Sequence, residues 1–116
     1  MVDFGYGSMH NLLKKGLTYH DIDRIYLTHN HPDHICDLVP FLFASRYPKD
    51  PRMKDLEIIG GPGFKRFFDN LMQAYKSWLV PTTYKVEILE QDEETKPYDG
   101  LIVTSKKVKH IEMSRG

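Results

Sequence analysis

The segment YLTHNHPDHICDL, residues 26 to 38, decides how the rest of the chain is interpreted. It holds three histidines and an aspartate within six positions, 29 to 34. The residues RIYLTH (24 to 29), which end with the first of these histidines, alternate and are rich in β-forming types, which predicts a strand. Four side chains that commonly bind metals therefore follow the end of a strand, where the ligand sites of α/β proteins open.

The spacing of these four side chains divides them into two pairs. His29 and His31 are two apart, so in extended backbone they point to the same side and can bind one metal ion. Pro32 then redirects the chain, and Asp33 and His34 fall at the start of the next predicted helix. Being adjacent, they cannot repeat the first geometry; they suit a second metal ion, or a supporting or acid–base role beside the first.

The residue types around the cluster indicate the kind of metal site. Histidine combined with carboxylate suits zinc, iron or manganese. The chain has one cysteine, Cys36, so neither a thiolate-rich structural zinc site nor an internal disulfide can form within it. We interpret Cys36 itself as a small core residue. Open sites with histidine and carboxylate ligands are typical of catalysis, in which the metal makes a bound water more acidic.

Composition limits the other function classes. The 116 residues are 41% hydrophobic, which is enough for one small domain or part of a larger one. Lys plus Arg and Asp plus Glu both number 16, so net charge does not indicate nucleic-acid binding, although SKKVKH (105 to 110) is locally basic. No apolar run approaches the length of a membrane span and no signal peptide is recognisable, so we expect a cytoplasmic protein without membrane contact.

Helical and extended patterns interleave along the chain, which predicts an α/β or α+β class. The patterns predict helices at residues 8–16, 33–47 and 63–79, strands at 24–29, 56–60 and 84–90, one long strand or two short ones at 101–110, and a polar loop at 91–100. Pro40 is expected to kink the second helix or to divide it. The aromatic stripe of the third helix, from Phe64 to Trp78, is interpreted as core packing.

Several motifs together resemble one superfamily. THNHPDH (28 to 34) resembles the H-x-H-x-D-H signature of the metallo-β-lactamase superfamily. DFGYGS (3 to 8) is similar to its Asp-x-Gly turn, LEIIGGPGF (56 to 64) to the strand and turn that follow the signature, and KHIEMSRG (109 to 116) to the segment with the next histidine. The resemblance is closest to the ribonuclease Z-like branch.

The resemblance implies a ligand set and a reaction. His29, His31 and His110 would bind one metal ion, and Asp33 and His34 would bind a second. Asp33 would also orient or deprotonate the attacking water. The ions implied are two zinc ions, with manganese or iron as alternatives. The activity implied is metal-dependent hydrolysis, in which a metal-bound hydroxide attacks a phosphodiester of RNA or of a small cyclic or nucleotide-like molecule.

Two departures from the superfamily pattern shape the expectations. The superfamily completes its site with a bridging aspartate and a last histidine, both downstream of the segment that His110 matches. Its fold has four layers, αββα, and this chain resembles one αβ half. We therefore expect residues 1–116 to be a single incomplete domain lacking the C-terminal half, with weak or no activity alone. Its open apolar sheet face would favour a homo-oligomer or a swapped dimer.

Two further residues and two alternative functions complete the interpretation. Asp3 is expected to support the signature loop through hydrogen bonds rather than to bind metal. Asp37 stands where ribonuclease Z sequences tend to have glycine, which weakens that specific assignment. One alternative is hydrolysis of a lactone or thioester on the same metal site. The other is an inactive fragment that binds metal or a partner.

Overall fold

A three-stranded parallel sheet organises the computed structural model, which describes residues 1–110 and 115–116. In chain order the elements are α1 (Ser8–Lys14), β1 (Arg24–Tyr26), α2 (Pro32–Ile35), α3 (Leu38–Ala44), β2 (Leu56–Gly60), α4 (Phe64–Tyr75), a 3₁₀ turn (Lys76–Trp78), β3 (Val86–Glu90), β4 (Thr95–Tyr98) and β5 (Leu101–Thr104). The predicted α+β class is confirmed.

The sheet has the order β1-β2-β3, and both neighbouring pairs are parallel. Parallel strands need crossover connections, and these are supplied here by α2 with α3 and then by α4. Because such crossovers are almost always right-handed, this order places α2, α3 and α4 on one face of the sheet. The carboxyl ends of β1 and β2 lie side by side, so the histidine segment after β1 is next to the glycine turn after β2.

The core lies between this helical layer and the sheet. Ile25 pairs with Ile58, and both side chains are fully buried. The helices contribute apolar side chains that are also buried: Leu12, Ile35, Leu38, Phe41, Leu42, Phe64 and Phe68. The aromatic stripe is core packing only in the first part of α4, because Trp78 is 66% exposed. The helix stops at Tyr75, where Lys76 has a φ of 50°, and beyond this break Leu79 is again buried in the core.

The opposite face of the sheet carries a hairpin that the sequence analysis did not predict. Residues 91–100 were expected to be a loop, yet β4 and β5 pair antiparallel around Asp99 and Gly100. Both turn residues have positive φ, 36° and 85°, which is the two-residue turn that Asp-Gly favours. The hairpin contacts the sheet through Arg24, whose guanidinium lies 4.7 Å from the Tyr98 ring centroid and donates to Asp99.

The segment predicted as one helix over residues 33–47 forms two, α2 and α3. The division falls at residues 36–37, before Pro40 rather than at it. Pro40 occupies the first turn of α3, where its missing N–H removes no helical hydrogen bond. Cys36, expected in the core, is half-buried in this division. Across the described ranges, no helix combines the length and the apolar composition needed to cross a membrane.

Candidate metal centre

His110, which is distant in the sequence, converges with His29 and His31 beside the carboxyl end of β1. One ring nitrogen each from His29, His31 and His110 lies within 4.8 Å of the other two. The ring centroids are 4.5 Å apart for His29 and His31, 4.9 Å for His29 and His110, and 5.1 Å for His31 and His110. Three imidazoles directed at one point are the donor set of an open catalytic zinc site.

The innermost of the three is His29, which is only 5% exposed. Its Nε2 atom is buried and has no hydrogen-bond partner among the described residues. A buried polar atom without a partner is unfavourable, and a metal ion bound there would satisfy it. Burial, together with the nearby His34, His31 and His110, lowers the pKa of His29. The ring is therefore held in the neutral form that a metal ligand requires, so the residues present fit a divalent metal ion.

The N-terminal segment supports this site through the carboxylate of Asp3. That carboxylate accepts hydrogen bonds from the backbone N–H of Thr28 at 2.8 Å and from the Thr28 hydroxyl at 3.0 Å. It also lies 2.8 Å from Nδ1 of His34, and this hydrogen bond is the main reason that the pKa of His34 is raised. Asp3 therefore connects the end of β1 to α2, as the sequence analysis expected of a supporting residue.

Backbone contacts hold residues 3–5 against the loop that carries the histidine signature, residues 28–34. Phe4 donates its N–H to the His34 carbonyl at 2.7 Å, and its carbonyl accepts from the Asp37 N–H at 3.0 Å. Between these contacts, Gly5 packs directly against the backbone of Asp33. The loop that carries Asp33 and His34 is thus held by hydrogen bonds and by close contact with residues 3–5.

Asp33 and His34 are near the cluster without completing a second one. The ring centroids of His34 and His29 are 4.1 Å apart, and Nε2 of His34 lies 3.5 Å from the Asp33 carboxylate. The Asp33 side chain is 77% exposed. Within residues 1–110 and 115–116, no third histidine, cysteine or carboxylate joins these two in a ligand group. Their assignment to a second metal ion therefore stays a prediction.

One residue at the site, Thr28, was missed by sequence reasoning, and two others have roles that it did not foresee. Thr28 is singled out only by its hydrogen bonds. Gly5 belongs to the Asp-x-Gly motif, but only the structure shows its close packing against Asp33. Asp37 accepts a hydrogen bond at 2.9 Å from the backbone N–H of Met9 in the first turn of α1. Asp37 thus stabilises a helix start, where an acidic side chain is favourable.

A cavity of about 380 Å³ opens beside the site. Its lining includes Thr28, the Gly60–Gly61 turn, Ile59 and Val103. The cavity lies between the sheet face opposite the helices and the β4–β5 hairpin. Some apolar hairpin residues near it are exposed, among them Leu101 at 61% and Ile102 at 78%.

Comparisons with known proteins place this site in a family context. Residues 1–115 match the family model described as Anti-Pycsar protein Apyc1. A Ribonuclease Z from Brevibacillus brevis is 32% identical over 114 residues, which cover 95% of this chain and 34% of that protein. A Ribonuclease Z from Staphylococcus epidermidis is 37% identical over 92 residues, which cover 78% of this chain and 29% of that protein.

The similarity extends to a solved structure, the short form of human tRNase Z. The TM-score is 0.61 at 26% identity, and the match covers 77% of this chain and 33% of that one. The chain therefore spans about a third of the length of the relatives it matches. The resemblance to a ribonuclease Z-like protein of the metallo-β-lactamase fold, inferred from the motifs, is confirmed.

Proposed function

The chain belongs to the Anti-Pycsar protein Apyc1 family, and from this membership we propose that it carries the metal-binding segment of a phosphodiesterase. The observation that supports this proposal most strongly is the convergence of His29, His31 and His110, in which the buried Nε2 of His29 has no hydrogen-bond partner among the described residues. The names of the similar proteins, Ribonuclease Z and tRNase Z, support hydrolysis of a phosphodiester rather than of a lactone or thioester.

In this proposal each residue has a separate task. His29, His31 and His110 hold a divalent metal ion, for which zinc is the first candidate and manganese or iron the others. When bound, the metal supplies Lewis acidity, which makes water a better nucleophile at neutral pH. The exposed carboxylate of Asp33 orients the attacking water and accepts its proton. His34, whose Nδ1 is hydrogen-bonded to the Asp3 carboxylate, binds a second ion together with Asp33.

The substrate is proposed at the level of the scissile bond. A small cyclic or nucleotide-like phosphodiester and the 3′ region of an RNA remain the two candidates within that class. Three exposed lysines, Lys106, Lys107 and Lys109, lie close in sequence to the proposed ligand His110. Exposed lysines bind the phosphates of a nucleic-acid backbone favourably. This feature, together with the Ribonuclease Z relatives, supports the RNA candidate.

Three broader expectations also remain proposals. The relatives are about three times as long as the matched chain, which supports residues 1–116 being one part of a larger catalytic domain. The exposed apolar residues of the hairpin support self-association, as a homo-oligomer or a swapped dimer. The single cysteine is consistent with a cytoplasmic location.

Zinc content and hydrolysis of bis(p-nitrophenyl) phosphate test the proposal together. We expect the purified chain to retain zinc, His31→Ala to lose it, and His10→Ala, which changes an exposed histidine outside the cluster, to retain it. Any turnover should be lost in Asp33→Asn while the zinc of the three-histidine site remains. Unchanged zinc in His31→Ala would refute the ligand assignment. Zinc without any turnover would favour a metal-binding module, and cleavage of lactones but not phosphodiesters would overturn the substrate class.

A further inference from the structure

We propose that Asp3, directly and through the hydroxyl of Thr28, sets the ring tautomers of two histidines, His34 and His29. Thr28 is then a positioning residue of the metal centre, although it binds no metal itself. The inference rests on the metal-binding part of the proposed function, but the hydrogen bonds that carry it exist in the metal-free protein.

The first step of the argument concerns the Thr28 hydroxyl. Its oxygen lies 3.0 Å from both carboxylate oxygens of Asp3 and 3.0 Å from Nδ1 of His29. An ionised carboxylate can only accept hydrogen bonds, so the single hydroxyl proton of Thr28 is donated to Asp3. The Thr28 oxygen then has only lone pairs left for His29. Nδ1 of His29 must therefore carry the ring proton, and Nε2 must carry the free lone pair.

The burial of His29 agrees with this assignment. Nε2 is the ring nitrogen of His29 that is buried and has no hydrogen-bond partner among the described residues. If Nε2 carried the proton, a buried donor would have no acceptor, and Nδ1 and the Thr28 oxygen would face each other at 3.0 Å with lone pairs only. The Nδ1–H tautomer avoids both costs and presents the lone pair for coordination.

The same carboxylate acts on the second histidine without an intermediary. Nδ1 of His34 lies 2.8 Å from Oδ2 of Asp3, and because the carboxylate accepts, Nδ1 is the donor. When the His34 ring is neutral, its Nε2 therefore has a free lone pair, on the side of the ring near Asp33. Asp3 thus fixes the ring tautomer of one histidine in the three-histidine cluster, His29, and of one in the predicted second pair, His34.

This arrangement should raise metal affinity because the ligands need not reorganise when the ion binds. A hydrogen bond to the non-ligating nitrogen fixes the tautomer and the ring orientation, and its loss typically lowers metal affinity about 10- to 100-fold. Thr28 is suited to this task because its backbone N–H is also held by Asp3 at 2.8 Å, which leaves the hydroxyl little freedom to turn elsewhere.

Nitrogen-15 NMR of the metal-free chain with labelled histidine measures the tautomers directly. Two-bond couplings between ring nitrogens and carbon-bound protons, recorded at alkaline pH, distinguish Nδ1–H from Nε2–H. We expect His29 and His34 both to show protonated Nδ1 and unprotonated Nε2, with assignments from His29→Gln and His34→Gln. An Nε2–H tautomer at His29 in the unmodified protein would overturn the proposal.

Two matched variants of Thr28 separate the hydroxyl from the shape of the side chain. Thr28→Val keeps the branched shape but has no hydroxyl, whereas Thr28→Ser keeps the hydroxyl. We expect Thr28→Val to lose the preference for Nδ1–H at His29 and to bind zinc about 10- to 100-fold more weakly, and Thr28→Ser to restore both. Equal zinc affinity and equal tautomer populations in the two variants would refute the role of Thr28.

The outcomes also separate this inference from the proposed function. If the unmodified chain binds no zinc but both histidines show protonated Nδ1, the metal proposal fails and the hydrogen-bond assignment holds. If zinc binds tightly while His29 is protonated at Nε2 in the metal-free chain, the metal proposal holds and the role of Thr28 and Asp3 fails. Backbone amide spectra of each variant establish that it is folded before either comparison is made.

Discussion

Gly5 lies so close to the carbonyl oxygen of Asp33 that a Cβ at residue 5 would be 1.7 Å from that oxygen. The contact joins the two motifs that the sequence shows separately, the Asp-x-Gly turn and the histidine signature. This close approach lets Asp3 accept a hydrogen bond from the His34 ring and lets the Phe4 N–H donate to the His34 carbonyl. Glycine is needed here because of contact with neighbouring backbone, since no side chain can be accommodated at this separation.

Gly5→Ala should displace the loop that holds Asp33 and His34. We expect the free energy of unfolding to fall by at least about 1–3 kcal/mol, the usual cost of overpacking, and zinc affinity to fall with it. Gly7→Ala is the control: its φ of 82° makes alanine unfavourable by about 1–2 kcal/mol, but no atom of residues 1–110 or 115–116 lies within 4 Å of the added methyl. Chemical denaturation and zinc titration should show weaker zinc binding only for Gly5→Ala.

His29→Ala should abolish the stabilisation of the fold by zinc. A ligand that binds only the folded state at 100 times its Kd stabilises that state by about 2.7 kcal/mol. We therefore expect zinc to raise the Tm of the unmodified chain and of His10→Ala, but not of His29→Ala. Without zinc, His29→Ala should already lose some stability, because it removes a buried ring and the hydrogen bond between Nδ1 and the Thr28 hydroxyl, so the zinc-dependent change in Tm is the quantity compared. A zinc-dependent rise in Tm in His29→Ala would contradict the cluster assignment.

Arg52→Lys should weaken the fold without changing zinc affinity. The Arg52 side chain is fully buried and donates to the backbone carbonyls of Tyr19 and Asp55, which precede β1 and β2 at the end of the sheet away from the histidines. A lysine amine cannot reproduce both arms of this fork, so we expect a loss of about 1–3 kcal/mol in the free energy of unfolding.

The control for this substitution is Arg66→Lys, at an exposed position of α4. Urea denaturation should show no more than a few tenths of a kcal/mol for that variant, as is usual for surface changes. A comparable loss of unfolding free energy in both variants would contradict the role of the buried Arg52 hydrogen bonds. Weaker zinc binding in Arg52→Lys would contradict the expectation that this end of the sheet does not affect the histidine site.

Alkaline pH should destabilise the fold in part through Tyr84. This side chain is 7% exposed, and burial raises the pKa of its hydroxyl above the usual 10.0. Above pH 10 the unfolded chain releases this proton more readily than the folded chain, so stability falls as pH rises; below pH 10 the effect is absent. Denaturation midpoints across this range should fall less steeply for Tyr84→Phe than for the unmodified chain.

Tyr6→Phe provides the comparison for this pH series, because Tyr6 is 92% exposed. We expect it to follow the unmodified chain at every pH. Tyr84→Phe should weaken the alkaline slope without removing it, since burial also raises the pKa of Tyr26. Identical slopes for all three proteins would show that Tyr84 does not contribute.

Sequence reasoning predicted the elements best where the pattern was strongly periodic or apolar. The strand LEIIG is observed with the predicted bounds, Leu56–Gly60, because it is a short apolar run bounded by turn residues. The β4 strand was missed because its residues, Thr95–Tyr98, are mostly polar and include Pro97. Its pairing depends on the Asp99–Gly100 turn and on contact with Arg24, which no local pattern in β4 shows.

From the sequence alone came the ligand types, their position after β1, and the prediction that the side chains of His29 and His31 lie on the same side. These properties follow from residue identity and from backbone periodicity, which are local. Only the tertiary structure decided that His110 reaches the pair, that Nε2 of His29 is buried without a partner among the described residues, and that Asp3 and Thr28 bond the rings. Those relationships join residues distant in the chain, so they depend on how the elements pack.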